Sequence, residues 1–278
     1  PFETFYTTDN ETLFAGQTEL KDLHTGAVLH FKTKRKEKIS LKIASSFISL
    51  EQAELNLKQE IANKTFEQLV TEGKEQWNSE LEKIKIQTAN IDNARTFYST
   101  LYRCLLFPRK FYEIDAAGEI VHYSPYNGEV LPGYMFTDNG FWDTFRAIFP
   151  FFTLMYPELN SQIMEGLVNA YKESGWLPEW ASPGHRDCMI GSNSASLIAD
   201  AYLKGIRGYD IETLYEAILK NTEGHGPVYS VGRYGAEYYN DLGYIPYDVG
   251  IRENTARTLE YAYADFCIAE LAKELGKP

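Results

Sequence analysis

The sequence predicts a mainly α protein with an N-terminal β portion, its helices paired in the manner of an α/α toroid. Three observations predict it. Apolar and β-branched residues alternate through residues 1–48, the apolar period lengthens to a helical one after Ser49, and from residue 92 helical stretches alternate with short turns and long aromatic loops.

Residues 1–48 read as the C-terminal part of a β-domain. Residues 4–8, 27–32 and 39–47 carry the strand pattern with turn residues between them. About four short strands are too few to close a sandwich on their own. Pro1-Phe2-Glu3 is already strand-like, and Gly276-Lys277-Pro278 follows directly on a helix, so the sequence reads as a piece of a longer polypeptide.

Residues 49–91 read as a helical linker. Ser49-Leu50-Glu51-Gln52 and Thr65-Phe66-Glu67-Gln68 both fit a capping box, in which hydroxyl and amide satisfy free backbone N–H groups. Ala53, Leu55, Leu57 and Ile61 follow the first box, and Trp77, Leu81 and Ile84 the second, near helical spacing. Trp77 reads as packing and the charges as a solvated face.

Residues 92–278 read as a helical domain. Helices are predicted over 93–107, 141–156, 158–174, 191–207, 210–222 and 254–276, punctuated by Pro108 and Pro157. Between the first two lies a hairpin, 111–114 with 119–123, turning at Ala116-Ala117-Gly118-Glu119, and then an aromatic loop over 124–136. Long loops gathered on one face of paired helices would line a cleft.

Composition narrows the function. The chain has 278 residues, 44% hydrophobic and 24% charged, enough for a sizeable core. A net charge of -12 disfavours nucleic acid and anionic membrane as partners, since both demand basic patches. No apolar run is long enough to span a membrane, and no signal peptide is visible. Cys104, Cys188 and Cys267 lack metal-ligand spacing and read as small buried hydrophobes. The five histidines, with His185 alone inside a site-like loop, form no zinc pattern, and His185 reads as structural. No serine sits in a nucleophile elbow, and no nucleotide fingerprint occurs.

Two aromatic clusters set carboxylates beside tryptophan: Asn139-Gly140-Phe141-Trp142-Asp143-Thr144-Phe145-Arg146, and Gly175-Trp176-Leu177-Pro178-Glu179-Trp180 with Arg186 beyond it. Indole faces cover the apolar face of a sugar ring, and carboxylates grip its hydroxyls, so carbohydrate is the first substrate class. Asp143 and Arg146, three apart, can share a helix face and pair. Ser192 or Asn193 is a natural N-cap for the helix that follows. An inverting glycosidase needs two carboxyl groups roughly 6.5–9.5 Å apart; from spacing alone Asp143 and Glu179 are that pair. The plainer alternatives stay open: Asp143 balancing a helix dipole, and the tryptophans packed against neighbours.

Phe141-Trp142-Asp143-Thr144-Phe145-Arg146 with Pro150 and Pro157 resembles a signature of glycoside hydrolase family 92, the exo-acting α-mannosidases. Asn56-Leu57 with Glu60, Trp77-Asn78, residues 97–102, Pro108-Arg109, Ala199-Asp200-Ala201-Tyr202 with Lys204-Gly205, Gly243-Tyr244-Ile245-Pro246 and Thr258-Leu259-Glu260-Tyr261-Ala262-Tyr263 match in the same order. The resemblance covers nearly the whole chain. It implies an N-terminal β-sandwich, of which 1–48 is the end, a helical linker, and an (α/α)6 barrel, of which 92–278 is the first half. It implies inversion, calcium dependence, export (secreted, periplasmic or cell-surface), and an α-mannoside glycan as substrate, α1,2 or a related linkage.

The resemblance also reassigns the carboxylates. The family's acid lies in a Glu-Gly-x-x-Trp motif, its base in a Gly-Asn-Asp motif, and an Asn-Glu-Pro region helps hold calcium; all lie downstream of anything in this chain. No catalytic residue and no metal ligand is therefore expected here. Asp143, matching the family's mannose-contacting aspartate, is expected to bind substrate, with Trp142, Arg146, Trp176, Glu179, Trp180 and Arg186 as walls of the cleft. The rest of its own polypeptide would be its necessary partner. Two other readings are a different (α/α)6 glycosidase using Asp143 and Glu179, and a non-catalytic glycan-binding module.

Overall fold

A computed structural model describes residues 4–9, 12–17 and 19–278; Pro1-Phe2-Glu3 lies outside them. The chain forms two compact units, 1–43 and 44–278.

The first unit holds one antiparallel sheet in the order β2-β1-β3, from β1 (Thr4–Asp9), β2 (Thr12–Ala15) and β3 (Thr25–His30). Thr4 pairs with His30 and Asp9 with both Thr25 and Thr12, so β1 is central. The strand expected over 39–47 does not form. Ile39, Leu41, Ile43 and Phe47 alternate as predicted but are 42%, 60%, 74% and 63% exposed. Alternation makes a strand only where a ladder partner and a covered face exist.

The second unit begins earlier than the linker boundary read from sequence. Ser46 Oγ and Phe47 N donate to Glu113 Oε1 at 2.9 and 2.8 Å, and Asn56 Nδ2 donates to Glu113 Oε2 at 2.7 Å. These bonds tie the approach to α1 (Leu50–Glu60) into the helical unit. Ser49 caps α1 by accepting from Gln52 N at 3.1 Å, but the reciprocal half of the box is missing. The Gln52 amide instead donates to Asn56 Oδ1 and to Ile114 O. Thr65 heads α2 (Phe66–Leu81) with both halves present. Trp77 packs on Tyr102 of α3 (Ile91–Cys104), ring centroids 4.5 Å apart.

A region of short strands follows: β4 (Arg109–Lys110), β5 (Glu113–Ile114), β6 (Ile120–Tyr123), β7 (Val130–Pro132), β8 (Phe136–Thr137) and β9 (Asn139–Gly140). The expected hairpin is β5–β6, its turn closed by Asp115 Oδ1, which accepts from Ala117 N and Glu119 N.

The single helix expected over 141–156 is two: α4 (Phe141–Thr144) and α5 (Ile148–Met155). Pro150 explains the break. A continuous helix would need its N–H for the Arg146 carbonyl, and its ring would collide there. In the first turn of α5 the missing donor costs nothing. Next come α6 (Pro157–Ser174), ended by Gly175 at φ 77, β10 (Trp180–Ala181), α7 (Ser194–Leu203) and α8 (Ile211–Glu223). A short α9 (Ala236–Leu242), unforeseen in the sequence, precedes α10 (Asn254–Leu275). Helix α5 packs on α6 and α7, α6 on α8, and α10 on α7 and α8. Phe149, Phe152, Met164, Leu167, Ile198, Leu214, Ile218 and Leu271 fill the core between them.

Candidate functional site

Strands β9 and β10 bring the two aromatic clusters side by side. Trp180 pairs with Gly140 and Ala181 with Asn139, and Phe141 N donates to Glu179 O at 3.0 Å. Gly140 is obligatory for this approach, because a Cβ there would fall inside the Trp180 indole.

Trp142, on α4, faces a groove of about 720 Å³. Its indole Nε1 donates to Glu260 Oε1 at 3.1 Å, and Arg146 Nη2 donates to the same oxygen at 2.9 Å. Arg146 Nη1 also donates to Trp142 O at 2.7 Å, and its guanidinium lies 5.0 Å from the Trp142 ring and 4.3 Å from Phe145. The pair expected between Arg146 and Asp143 is not made. An exposed i, i+3 pair is worth a few tenths of a kcal/mol, ~0.2–0.5, whereas the Glu260 side chain is only 15% exposed and binds its partners better. Asp143 is left exposed in the first turn of α4, with no side-chain partner among the described residues.

The other walls come from residues 187–190, from Tyr229 and Tyr234, and from Gly250, Arg252, Glu253 and Arg257. Arg257 is 7% exposed, stands 3.5 Å from Glu253 and lies 5.6 Å from the Tyr234 ring. Met189 and Glu253 both hold left-handed backbone, φ 64 and φ 53, which is costly for residues with a Cβ. Strain of this kind collects where surrounding structure fixes a functional surface. Among the described residues, no group of three or more His, Cys, Asp or Glu side chains could hold a metal ion.

Of the second aromatic cluster, Trp176, Glu179, Trp180 and Arg186 do not line this groove. Glu179 is 4% exposed. Its carboxylate accepts from Ser194 N at 2.9 Å, Ser194 Oγ at 2.5 Å and Asn221 Nδ2 at 3.2 Å. It therefore caps α7, the task assigned in the sequence to Ser192 or Asn193; Asn193 donates instead to Ile190 O. Burial pushes the Glu179 carboxyl up to about 8, against the pull of those donors. Trp180 packs on Gly140 and carries the Arg186 guanidinium 5.1 Å from its ring. Trp176 lies under Gly226 and Gly232, with Lys220 Nζ 4.8 Å from its ring. His185, its ring 4.8 Å from Tyr126, is pushed down to about 4 by burial and stays neutral near pH 7.

Glu260, Tyr229 and Arg257 were given no role by the sequence. Glu260 lies inside a motif quoted for the resemblance, but nothing local shows that α10 returns it beneath Trp142. Tyr229 lies in Gly224-His225-Gly226-Pro227-Val228-Tyr229-Ser230-Val231-Gly232, where two flanking glycine groups around an aromatic were the available signal.

The groove gathers an indole, two tyrosines, two guanidinium groups and two carboxylates, side chains of the kind that bind a neutral polyol. Residues 52–278 match the glycosyl hydrolase family 92 catalytic domain. A protein from Arthroderma benhamiae described as an uncharacterized secreted glycosidase is 32% identical over 254 residues, 86% of this chain and 28% of that protein. A solved family GH92 inverting mannosidase from Bacteroides thetaiotaomicron is 49% identical, with a TM-score of 0.93 over 100% of this chain and 38% of that one. A family GH92 alpha-mannosidase from the same organism is 28% identical, with a TM-score of 0.80 over 98% of this chain and 37% of that one. The chain thus spans between 28% and 38% of the length of these relatives.

Proposed function

The chain belongs to glycosyl hydrolase family 92, and from that premise we propose that it supplies a substrate-binding wall of an inverting exo-α-mannosidase acting on α-linked mannose of glycans. The observation that carries the proposal is Trp142, which lines the groove while its indole Nε1 is fixed by Glu260 and Arg146 lies over its ring. Asp143 contacts the mannose hydroxyls. Arg146 fixes the indole rather than the sugar. Trp176, Glu179 and Trp180, with Arg186 stacked on Trp180, form a supporting layer that holds Gly140, α7 and the 224–232 loop in place. The helical pairs are one half of an (α/α)6 toroid, the sheet of the first unit is the end of a β-sandwich, and the enzyme works secreted, in the periplasm or at the cell surface. The linkage is α1,2 or a related one.

The carboxylates that line the groove support the view that acid and base come from elsewhere in the polypeptide. Asp187 Oδ1 accepts from Ser230 N, and Glu253 faces Arg257. Calcium, when bound, would help orient the attacking water, and its ligands lie outside this chain as well.

One observation favours the second reading, in which Asp143 and Glu179 do the chemistry: a carboxyl raised to about 8 is what a general acid needs. Its enclosure behind Ser194 and Asn221 argues against it. The test is mannose release. We expect none from the isolated chain with or without calcium, and mannose binding to it weakened about tenfold by Trp142→Ala and by Asp143→Asn. Release that requires Glu179 would support the second reading instead.

A further inference from the structure

The groove is larger than one monosaccharide needs, and a second aromatic side chain lines it with half of its surface open to solvent. Tyr229 is 52% exposed and lines the same groove as Trp142. Resting on the mannoside reading of that groove, we propose that Tyr229 is a stacking platform for a second sugar ring, beyond the one held at Trp142, and so selects disaccharides or longer chains over single mannosides.

Tyr229 is held as a platform should be. Its ring lies 4.5 Å from Tyr234 at 32° and meets His225 edge-on at 5.4 Å. The loop beneath is closed by Gly226 N to Val231 O at 2.8 Å and Arg233 N to Gly224 O at 2.7 Å. Ser230, its neighbour, donates through N to Asp187 Oδ1 at 3.0 Å and through Oγ to Arg186 O at 2.9 Å. Those two bonds fasten the Tyr229 loop to the loop that forms another groove wall. From below, Gly226 and Gly232 sit directly on Trp176, where a Cβ would collide with the indole. A ring fixed before binding loses little entropy on contact, which is why rigid tyrosines serve as recognition surfaces. Arg252 and Glu253 line the same groove and add a guanidinium and a carboxylate to its polar surface. Tyr247 is more exposed still, at 91%, but does not line the groove.

The experiment compares an α1,2-linked mannobiose with methyl α-mannoside binding to the 278-residue chain, by saturation-transfer NMR titration. Tyr229→Ala should weaken mannobiose roughly 3- to 10-fold, the worth of one aromatic contact, and methyl α-mannoside less than about twofold. Tyr229→Phe, which keeps the face and loses the hydroxyl, should bind both as the parent does. Equal losses for the two ligands in Tyr229→Ala would mean the residue only shapes the loop, and no loss would mean it touches nothing; either overturns the proposal. Should neither ligand bind the parent chain, or Trp142→Ala leave both unchanged, the mannoside reading falls and this inference with it.

Discussion

Glu179 shows how a single side chain can look functional in sequence and in charge while serving structure. Its folded value of about 8 stands above the ordinary carboxylate range near 4.5, so the folded chain keeps a proton there that the unfolded chain has released. Stability from this site is therefore fully present below about pH 4.5 and declines as pH rises toward 8, by at most about 1.4 kcal/mol per pH unit. Glu179→Gln keeps an acceptor for Ser194 and cannot ionise. Its melting temperature should be flat across that window where the parent's falls; parallel profiles would contradict the assignment. At Trp142 the expectation is different. Glu260→Gln weakens the grip of Arg146 and leaves an acceptor for the indole, so we expect mannose affinity reduced severalfold with little change in melting temperature.

At the scale of elements, caps and breaks were the legible features. Thr65 and Gln68 form the box that their spacing announces, and Thr65→Ala should cost about 1 kcal/mol in urea unfolding. Ser49 and Gln52 share the spacing but not the outcome, because Ser49 N donates to Ser46 Oγ while the Gln52 Nε2 group is turned to Asn56 and Ile114. The break before α5 follows from Pro150, which sits in an apolar run that otherwise continues the helical pattern. The α7 cap could not be read at all, since its acceptor, Glu179, arrives from fifteen residues upstream. Local pattern shows what a residue can do; the tertiary return of α10 or β10 decides which partner it meets. Gly140 belongs to this scale. Gly140→Ala would drive Trp180 off β9, and we expect a loss of about 1–3 kcal/mol with a disturbed near-ultraviolet dichroism spectrum.

At the scale of the helical unit, the outer face of α10 is unusual. Leu259, Tyr263 and Phe266 are 66%, 45% and 60% exposed, while Ala264, Cys267 and Leu271 on the opposite face are buried in the core. Contiguous apolar surface of this kind marks a face that something covers. The isolated chain should bind a hydrophobic dye such as ANS strongly, and Leu259→Ser with Phe266→Ser should reduce that signal without lowering the melting temperature. The sequence predicts paired helices; which helix presents an apolar face to the outside is decided by the packing of α10 on α7 and α8.

The four tryptophans are divided among four duties. Trp77 packs a helix pair, Trp176 underlies a loop, Trp180 presses on Gly140, and Trp142 alone borders the groove. The chain thus carries its own optical reporter. With Trp142 replaced by phenylalanine as the reference, the difference in emission isolates the one indole whose surroundings a ligand can alter, so occupancy could be followed by light without attaching a label.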